Sequence, residues 1–367
     1  MREPAQIRML PDGRRLHLHD GPIDLIIQAD GTRGAVEQAY KAAATRFVTI
    51  LDELCAELPL LRTRVLPNSP RPKGPIAQRM FDAVLRCASP PVGVQHAGPH
   101  VRTISPTTGA QQVGIAREVW WHSHSWLCSS NPIFITPMAA VAGAVAEAVL
   151  AEMTQAADLR RAYVNNGGDI AVHLTAGHSY TAGMVERPES PSLFGYVEIS
   201  AESGIRGIAT SGWRGRSFSL GIADAVTVLA NTAPAADTAA TIIANAVDLP
   251  GHPAITRLPA CEIAPDSDLL DLPVTRHVGP LSFSEIAKAL GSGLRVAESL
   301  RAQGLIHAAA LCLQGHVRLC CRDSILFQPA KSLQGVGALA PTSARIDAIG
   351  ASAPEGMPSC SREPAHV

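Results

Sequence analysis

Residues 207–212 read Gly-Ile-Ala-Thr-Ser-Gly and are the most informative stretch of the chain. Its apolar start predicts a buried strand, and its Thr-Ser-Gly end predicts a tight turn that carries two hydroxyl groups. Residues 236–241, Ala-Asp-Thr-Ala-Ala-Thr, follow as the opening of a helix. Upstream, residues 165–169 read Asn-Asn-Gly-Gly-Asp and interrupt an apolar strand with a glycine turn. Together the three segments predict a site for a phosphate-bearing ligand and a hard cation.

The composition is that of a folded globular protein with a sizeable core. Of 367 residues, 46% are hydrophobic and 17% are charged. The net charge is −1 and no run of lysine or arginine occurs, which disfavours nucleic-acid binding. The first ten residues lack an apolar leader segment, and the eight cysteines form no C-x-x-C pair. We therefore expect a cytoplasmic protein with reduced thiols.

One nearly uncharged stretch, residues 132–151, raises the question of a membrane span. A membrane helix needs about 20 predominantly apolar residues. This stretch is mostly alanine and glycine, which transfer weakly into lipid, and Pro137 suits a helix start. We expect a buried helix and no membrane association. Its small residues would suit a homodimer interface, but packing within the chain is the favoured use.

The periodicity predicts both helices and strands, in an order without strict β-α-β alternation. Helices are expected over residues 35–58, 75–87, 137–157, 234–247 and 284–303, and strands over 13–30 (two), 162–164, 170–174, 195–199, 205–210, 225–229, 305–313 and 317–320. This order favours a mixed, layered α+β domain over residues 1–321, not a doubly wound parallel sheet. Residues 89–132 are predicted to form an irregular insert, and residues 322–367 a disordered tail.

The candidate cation ligands are Asp237 and Thr241. At positions i and i+4 of a helix, their side chains project from one face. A carboxylate and a hydroxyl are suitable donors for Mg²⁺, which also bridges to ligand phosphates. The first amides of the same helix are expected to lie nearby and to receive anionic oxygens. In the alternative interpretation, Asp237 complements the helix dipole and Thr241 is a buried helix residue.

The glycine turn supplies a second group of candidates. Gly167 and Gly168 permit positive φ and a close approach of backbone to a ligand. Asn166 flanks the turn, and Asp169 could accept a hydrogen bond from a ribose or flavin group. A plain β-hairpin turn is the alternative, because Asn-Gly and Gly-Asp are common in such turns.

The end of the predicted strand at residue 210 supplies the third group. Thr210, Ser211 and Gly212 offer hydroxyls and backbone N–H groups, and Arg214 and Arg216 follow closely. Hydroxyls, amides and guanidinium groups suit a pyrophosphate. Solvated turn arginines are the alternative. The joint presence of all three groups, in one order within a short stretch of chain, strengthens each of them.

The order N-x-G-G-D, A-T-S-G and A-D-x-x-A-T resembles the ApbE family. These are Mg²⁺-dependent flavin transferases that move FMN from FAD onto a threonine or serine of an acceptor protein. The resemblance implies that Asp237 and Thr241 hold Mg²⁺. It also implies that the two glycine turns line the site of a flavin nucleotide, FAD or FMN.

A closer resemblance links the chain to an uncharacterised branch of the ApbE-like superfamily. It rests on residues 134–143, 215–228 and 266–269, and it covers residues 10–320. The chain departs from the transferases in two places. Their His-x-x-Asp-Pro segment is missing between the second and third motifs, and Met138-Ala139-Ala140 stands where they carry Lys-Gly.

Without that histidine, a transfer reaction would lack the base that activates the acceptor hydroxyl. Asp224 is the candidate substitute, although an aspartate in a turn before a strand is an equally good interpretation. Three functions therefore remain. The chain binds a flavin nucleotide or similar phosphate ligand with Mg²⁺, or it is an FMN transferase with a substituted base, or it is a non-catalytic binding or assembly module.

Overall fold

The computed structural model describes residues 3–88, 134–185, 193–321 and 327–329. Its strands are β1 (Gln6–Met9), β2 (Leu16–Asp20), β3 (Ile23–Asp30), β4 (Arg161–Asn166), β5 (Asp169–Leu174), β6 (Ser179–Val185), β7 (Leu193–Ser200), β8 (Gly207–Ser211), β9 (Ala225–Ala230), β10 (Ile255–Pro259), β11 (Pro273–Val278), β12 (Ala308–Leu313), β13 (His316–Cys320) and β14 (Phe327–Pro329). Its helices are α1 (Arg33–Ala56), α2 (Leu58–Leu61), α3 (Pro75–Ala88), α4 (Val141–Ala156), α5 (Ala233–Ala246), α6 (Ala260–Ile263) and α7 (Phe283–Ala302).

The strands form three sheets in which every pair of neighbours is antiparallel. The large sheet has nine strands in the order β1-β2-β3-β4-β5-β8-β9-β12-β13. A smaller sheet has the order β14-β7-β6, and β10 pairs with β11. The α+β architecture predicted from the sequence is therefore confirmed, and no parallel pair occurs among the described strands.

The central strands of the large sheet are buried on both faces. Because side chains alternate along a strand, Val226 and Val228 of β9 enter the main core while Leu229 enters the second. Likewise Ala171 of β5 faces the main core and Val172 the second. This double burial explains why these strands read as continuous apolar runs.

The helices form a layer on the main-core face, in which α1 contacts α4, α4 contacts α5, and α5 contacts α7. Helix α3 packs over α4 and α5. The small sheet covers the opposite face, where Tyr180, Val197 and Ile199 join the second core. The chain is therefore layered as helices, large sheet and small sheet.

Local signals explain where the helices begin. Thr32 caps α1 and Thr232 caps α5, each accepting a hydrogen bond from the amide three residues later. Helix α7 has a capping box in which Ser282 and Glu285 each satisfy the other's backbone amide. These polar caps fix the register of helices that packing alone would leave free to shift.

The predicted helices and strands occur within a few residues of the expected bounds, including the β12–β13 hairpin. The sequence interpretation missed β1, β6, β10 and β11. It also placed the whole of residues 322–367 in a disordered tail, whereas Phe327–Pro329 form a strand paired with β7. The predicted insert, residues 89–132, and the rest of the predicted tail lie outside the described residues.

One apolar segment, Pro137–Ala156, has the length and composition of a membrane span, with a mean hydropathy of 1.3. It consists of a 3₁₀ turn followed by α4. In the structure 56% of it is buried within the protein, against α1, α5 and the sheet. This burial is typical of a core helix.

Candidate functional site

A cavity of about 310 Å³ opens where the β4–β5 turn, the end of β8, the start of α4, the second and third turns of α5, and the small sheet meet. It brings together every site residue predicted from the sequence. These residues are Asn166, Gly167, Gly168, Asp169, Thr210, Ser211, Gly212, Arg216, Asp224, Asp237 and Thr241.

The acidic side of the cavity is formed by Asp169 and Asp237, with the Thr241 hydroxyl one helical turn beyond Asp237. Asp169 accepts a hydrogen bond from the backbone amide of Thr210 at 3.2 Å. Asp237 accepts one from the backbone amide of Gly143 at 3.0 Å. Each carboxylate is thus fixed by the backbone of a neighbouring element.

Both carboxyl groups have raised pKa values. Burial raises the pKa of Asp169 to about 7, against the lowering effect of the Thr210 amide and the Arg216 charge. Burial also raises the pKa of Asp237 well above its usual range, and repulsion from Asp169 adds to the effect. Two ionised carboxylates are therefore costly here unless a positive charge joins them.

The helix that donates an N-terminal amide to a side chain of this site is α4, through Gly143, and not α5. Asp237 lies in the second turn of α5 and caps the start of α4 through Gly143. The first amides of α5 are used within the protein, since Ala233 donates to Glu147 and Ala235 to the Thr232 hydroxyl. The expectation that they receive anionic oxygens of a ligand is therefore wrong.

The basic group at the glycine turn is Arg216. Gly167 and Gly168 have φ values of +65° and +113°, the left-handed backbone that a two-residue hairpin turn requires. The turn is secured by Asn165, whose side-chain oxygen accepts from the Gly168 amide at 2.8 Å. The Arg216 guanidinium lies directly over Gly167, so close that a Cβ atom there would come within 1.9 Å of Nη2.

Asn166 and the end of β8 line the cavity beside the glycine turn. The Asn166 side chain donates to the carbonyl of Ala142 at 3.2 Å and so ties β4 to the start of α4. The Thr210 hydroxyl lies 3.0 Å from that of Thr227 on β9. Ser211 follows at the rim, beside the loop that carries Arg216.

Asp224 occupies a different setting from the other two carboxylates. It is only 3% exposed, and its Oδ1 atom accepts from Trp213 Nε1 at 3.1 Å and from Arg214 Nε at 2.7 Å. Its Oδ2 atom accepts from the backbone amide of Gln314 at 2.5 Å. Three donors thus occupy most of the lone-pair sites that a base would need.

An apolar wall faces the polar groups, and the sequence interpretation did not foresee it. It comes from the large sheet and from the small sheet, and its residues are Ile170, Ala182, Met184, Val197 and Ile208. The available signal was the alternation of apolar and polar residues over 179–185, which marks a strand with one buried face.

The donor set fits a hard cation that is shared with a ligand. Within the described ranges, no cluster of three or more His, Cys, Asp or Glu residues is arranged to hold a metal alone. Two carboxylates and a hydroxyl nevertheless line one cavity wall. Mg²⁺ commonly takes one or two protein carboxylates and completes its coordination with water and phosphate oxygens.

The family model described as "AbpE bacteria" matches residues 7–98 and 99–319. The chain belongs to this family. The assignment to an uncharacterised ApbE-like branch, made from the sequence motifs, is therefore confirmed.

Curated relatives with the name UPF0280 protein match about a third of the chain. The one from Methanopyrus kandleri is 41% identical over 118 residues, which are 32% of this chain and 45% of the relative. The one from Methanothrix thermoacetophila is 39% identical over 124 residues, 33% of this chain and 50% of the relative. The chain spans about half the length of the curated relatives it matches.

Among solved structures, two of the flavin transferase ApbE from Vibrio cholerae are similar to this chain, one of them of a mutant. The TM-scores are 0.41 and 0.40 at 13% identity. The alignments cover 87% and 88% of this chain and 97% and 98% of the transferase.

Proposed function

We propose that this protein binds a phosphate-bearing nucleotide of the flavin or adenine type together with Mg²⁺. One observation carries the proposal. Carboxylates that suit a cation, Asp169 and Asp237, and a guanidinium that suits a phosphate, that of Arg216, line a single cavity.

On the acidic side, Asp237, Thr241 and Asp169 would hold the cation. The raised pKa values of both carboxyl groups express the cost of placing two negative charges in a buried cavity. A bound divalent cation would offset that cost, since opposite charge favours the ionised forms. When bound, Mg²⁺ would neutralise phosphate oxygens that otherwise repel the two aspartates.

On the basic side, Arg216 and the β4–β5 turn would receive the phosphates. A guanidinium can donate two parallel hydrogen bonds to phosphate oxygens. The glycines at 167 and 168 leave the backbone open to close approach. Thr210 and Ser211 line the same cavity.

The apolar wall would take the planar ring of the nucleotide. Met184, Val197 and Ile208 offer an uncharged surface within the cavity, contributed by the two sheets. The cavity volume of about 310 Å³ is at the lower end of the range for small-molecule sites. It therefore suits a mononucleotide or one half of a dinucleotide such as FAD.

Binding, and not transfer to an acceptor protein, is the activity that the cavity supports best. Transfer would require a base, and the Asp224 carboxylate is already engaged by Trp213, Arg214 and Gln314. The three motifs shared with the flavin transferases, and membership of the bacterial AbpE family, support a flavin nucleotide over other phosphate ligands.

Calorimetric titration of ADP, FMN and FAD, with Mg²⁺ or with EDTA, tests the proposal. Adenosine and riboflavin serve as controls that lack phosphate. We expect Mg²⁺-dependent binding of at least one phosphorylated ligand and much weaker binding of its phosphate-free counterpart. Absence of binding by all three phosphorylated ligands would contradict the proposal.

Two threonines of α5 provide a matched pair of variants. Thr241→Val removes the cavity hydroxyl, and we expect it to weaken Mg²⁺-dependent binding by at least about tenfold, the smallest loss typical of groups supporting a metal site. Thr238 is fully buried on the same helix, outside the cavity, and its hydroxyl has no hydrogen-bond partner among the described residues. Thr238→Val should leave binding unchanged and should not destabilise the protein.

A further inference from the structure

The Asp224 carboxylate joins two segments that are distant in sequence. On one side it accepts hydrogen bonds from the side chains of Trp213 and Arg214. On the other it accepts from the Gln314 amide, in the turn between β12 and β13, while its own amide donates to Cys312 at 3.0 Å. The start of β9 is thereby connected to the loop after β8 and to the adjacent hairpin.

The loop on the first side, residues 212–217, is here called the arginine loop. The Arg214 guanidinium carbon lies 4.4 Å from the centre of the Trp213 ring, so the two side chains stack. The Trp213 amide donates to the carbonyl of Ala223 at 3.0 Å, and the Gly215 amide closes a turn onto Gly212 at 3.1 Å. The loop is thus held at its beginning, directly against Asp224.

Arg216, two residues after the anchored Arg214, reaches over the glycine turn and lines the cavity. The placement of its guanidinium depends on the path of the loop that carries it. We propose that Asp224 is a positioning residue, which fixes the arginine loop through Trp213 and Arg214. It thereby holds Arg216 over the glycine turn, where the phosphates of the ligand are proposed to bind. The effect on ligand affinity rests on the proposed function, whereas the effect on the loop does not.

Asp224→Asn is the main test. The neutral amide has a single acceptor oxygen and presents an NH₂ group where the carboxylate accepted hydrogen bonds. It also removes the negative charge that pairs with Arg214 at 2.7 Å. Asp248→Asn is the matched control, because Asp248 forms a buried ion pair with Arg257 and neither residue lines the cavity.

The ligand-independent measurement uses Trp213 as the reporter. The other three tryptophans, Trp120, Trp121 and Trp126, are replaced by phenylalanine. In this background we expect Asp224→Asn to shift the Trp213 emission to longer wavelength, to increase quenching by acrylamide and to speed trypsin cleavage after Arg214 and Arg216. Asp248→Asn should change none of these. Unchanged emission, quenching and cleavage in Asp224→Asn would overturn the proposal, whether or not any ligand binds.

The ligand-dependent measurement uses ADP and FAD with Mg²⁺, titrated into the chain with its natural tryptophans. We expect Asp224→Asn to bind about tenfold or more weakly, the loss associated with removing a charged hydrogen-bond partner. A loosened loop with unchanged affinity would overturn the link between the loop and the site. If the wild-type chain binds neither ligand, the proposed function fails and the fluorescence result still decides the role of Asp224.

Trp213→Phe covers the case in which Asp224→Asn does not fold. Trp213 does not line the main cavity, and phenylalanine keeps a ring beneath Arg214 while removing the N–H donor to Asp224. We expect faster trypsin cleavage within the arginine loop and weaker ADP binding. Wild-type cleavage and affinity in this variant would overturn the proposal.

Discussion

Gly167 is the residue at which a single added methyl group should alter the cavity. Its φ of +65° is unfavourable for other residues, and an added Cβ would collide with the Arg216 guanidinium. We predict that Gly167→Ala destabilises the protein by about 1 kcal/mol and displaces Arg216, so that affinity for ADP with Mg²⁺ falls about tenfold or more. Thermal melting and calorimetric titration measure the two effects.

Gly177 supplies the control for the backbone contribution. Its φ is +77°, and an added Cβ would meet no atom within 4 Å. Gly177→Ala should therefore cost similar stability without loss of affinity. Equal affinities in Gly167→Ala and the wild type would contradict the placement of Arg216 at the ligand.

The raised pKa values of Asp169 and Asp237 predict how stability depends on pH without Mg²⁺. Asp169 has a pKa of about 7 in the folded protein, above its ordinary value of 3.8, because burial favours the neutral acid. The folded state therefore binds the proton more tightly than the unfolded state does. The contribution of Asp169 to stability is fully present below the ordinary value of 3.8 and is lost as pH rises from there through about 7.

We accordingly predict that the melting temperature falls between pH 5 and pH 8 in EDTA and that Mg²⁺ reduces the fall. Asp237→Asn should flatten the profile and melt above the wild type at pH 8, because asparagine stays neutral in the folded and unfolded states whereas burial and Asp169 raise the pKa of Asp237. Asp12→Asn is the control. Although burial opposes it, hydrogen bonds from Arg15 and Arg14 lower the pKa of Asp12 to about 2, far below this window. A wild-type profile as flat as that of Asp237→Asn would contradict the account.

The sequence predicted most of the polar residues that line the cavity, but not its apolar wall and not how each side chain is held. Asp237 and Thr241 were recognisable because i and i+4 positions share a helix face. The partners of Asp224 were not, since Gln314 lies 90 residues away and contacts it only through the pairing of β9 with β12. Contacts between distant segments follow from the order of strands in the sheet, which local patterns do not encode.

At the scale of elements, the close approach of α4 to α5 positions the acidic side of the cavity. A Cβ at Gly143 would lie 2.4 Å from the carbonyl oxygen of Ala233. We predict that Gly143→Ala separates the helices, lowers stability by about 1–3 kcal/mol and weakens Mg²⁺-dependent binding, because the Gly143 amide also holds Asp237. Chemical denaturation and titration with ADP measure these effects.

Gly291, inside α7, gives the opposite expectation for the same substitution. A Cβ there has only the tip of the Arg295 side chain nearby, at 4.0 Å. Gly291→Ala should raise stability by up to about 1 kcal/mol through helix propensity and leave binding unchanged. If Gly143→Ala also raised stability and left binding unchanged, that result would contradict the close approach of α4 to α5.

The long helices were predictable because their apolar spacing and caps are local, as in α1 and α7. Strands β10 and β11 were missed because apolar and polar residues alternate only weakly in their sequences. They form a short two-stranded sheet with each other. The small sheet escaped prediction as a unit, since β14 joins β7 from beyond residue 321.

At the scale of the whole molecule, the cavity is lined by residues of the second core, Ile170, Ala182, Val197 and Ile208, and β14 closes one edge of the small sheet. Phe327–Pro329 pair with residues 195–197, and Val197 lines the cavity. We predict that a chain ending at residue 325 has a lower melting temperature and weaker FAD binding than one ending at residue 330. Identical behaviour of the two truncated chains would show that β14 does not support the apolar wall.

The central claim is that a cation held by Asp237 and a phosphate ligand share one cavity. It is tested most directly by calorimetric titration of ADP at increasing Mg²⁺, in the wild type and in Asp237→Asn. The account predicts that Mg²⁺ tightens ADP binding to the wild type by about tenfold or more, a coupling of typical size between two linked sites, and that Asp237→Asn loses this dependence. ADP affinity that does not respond to Mg²⁺ in the wild type, or that responds equally in the variant, would contradict it.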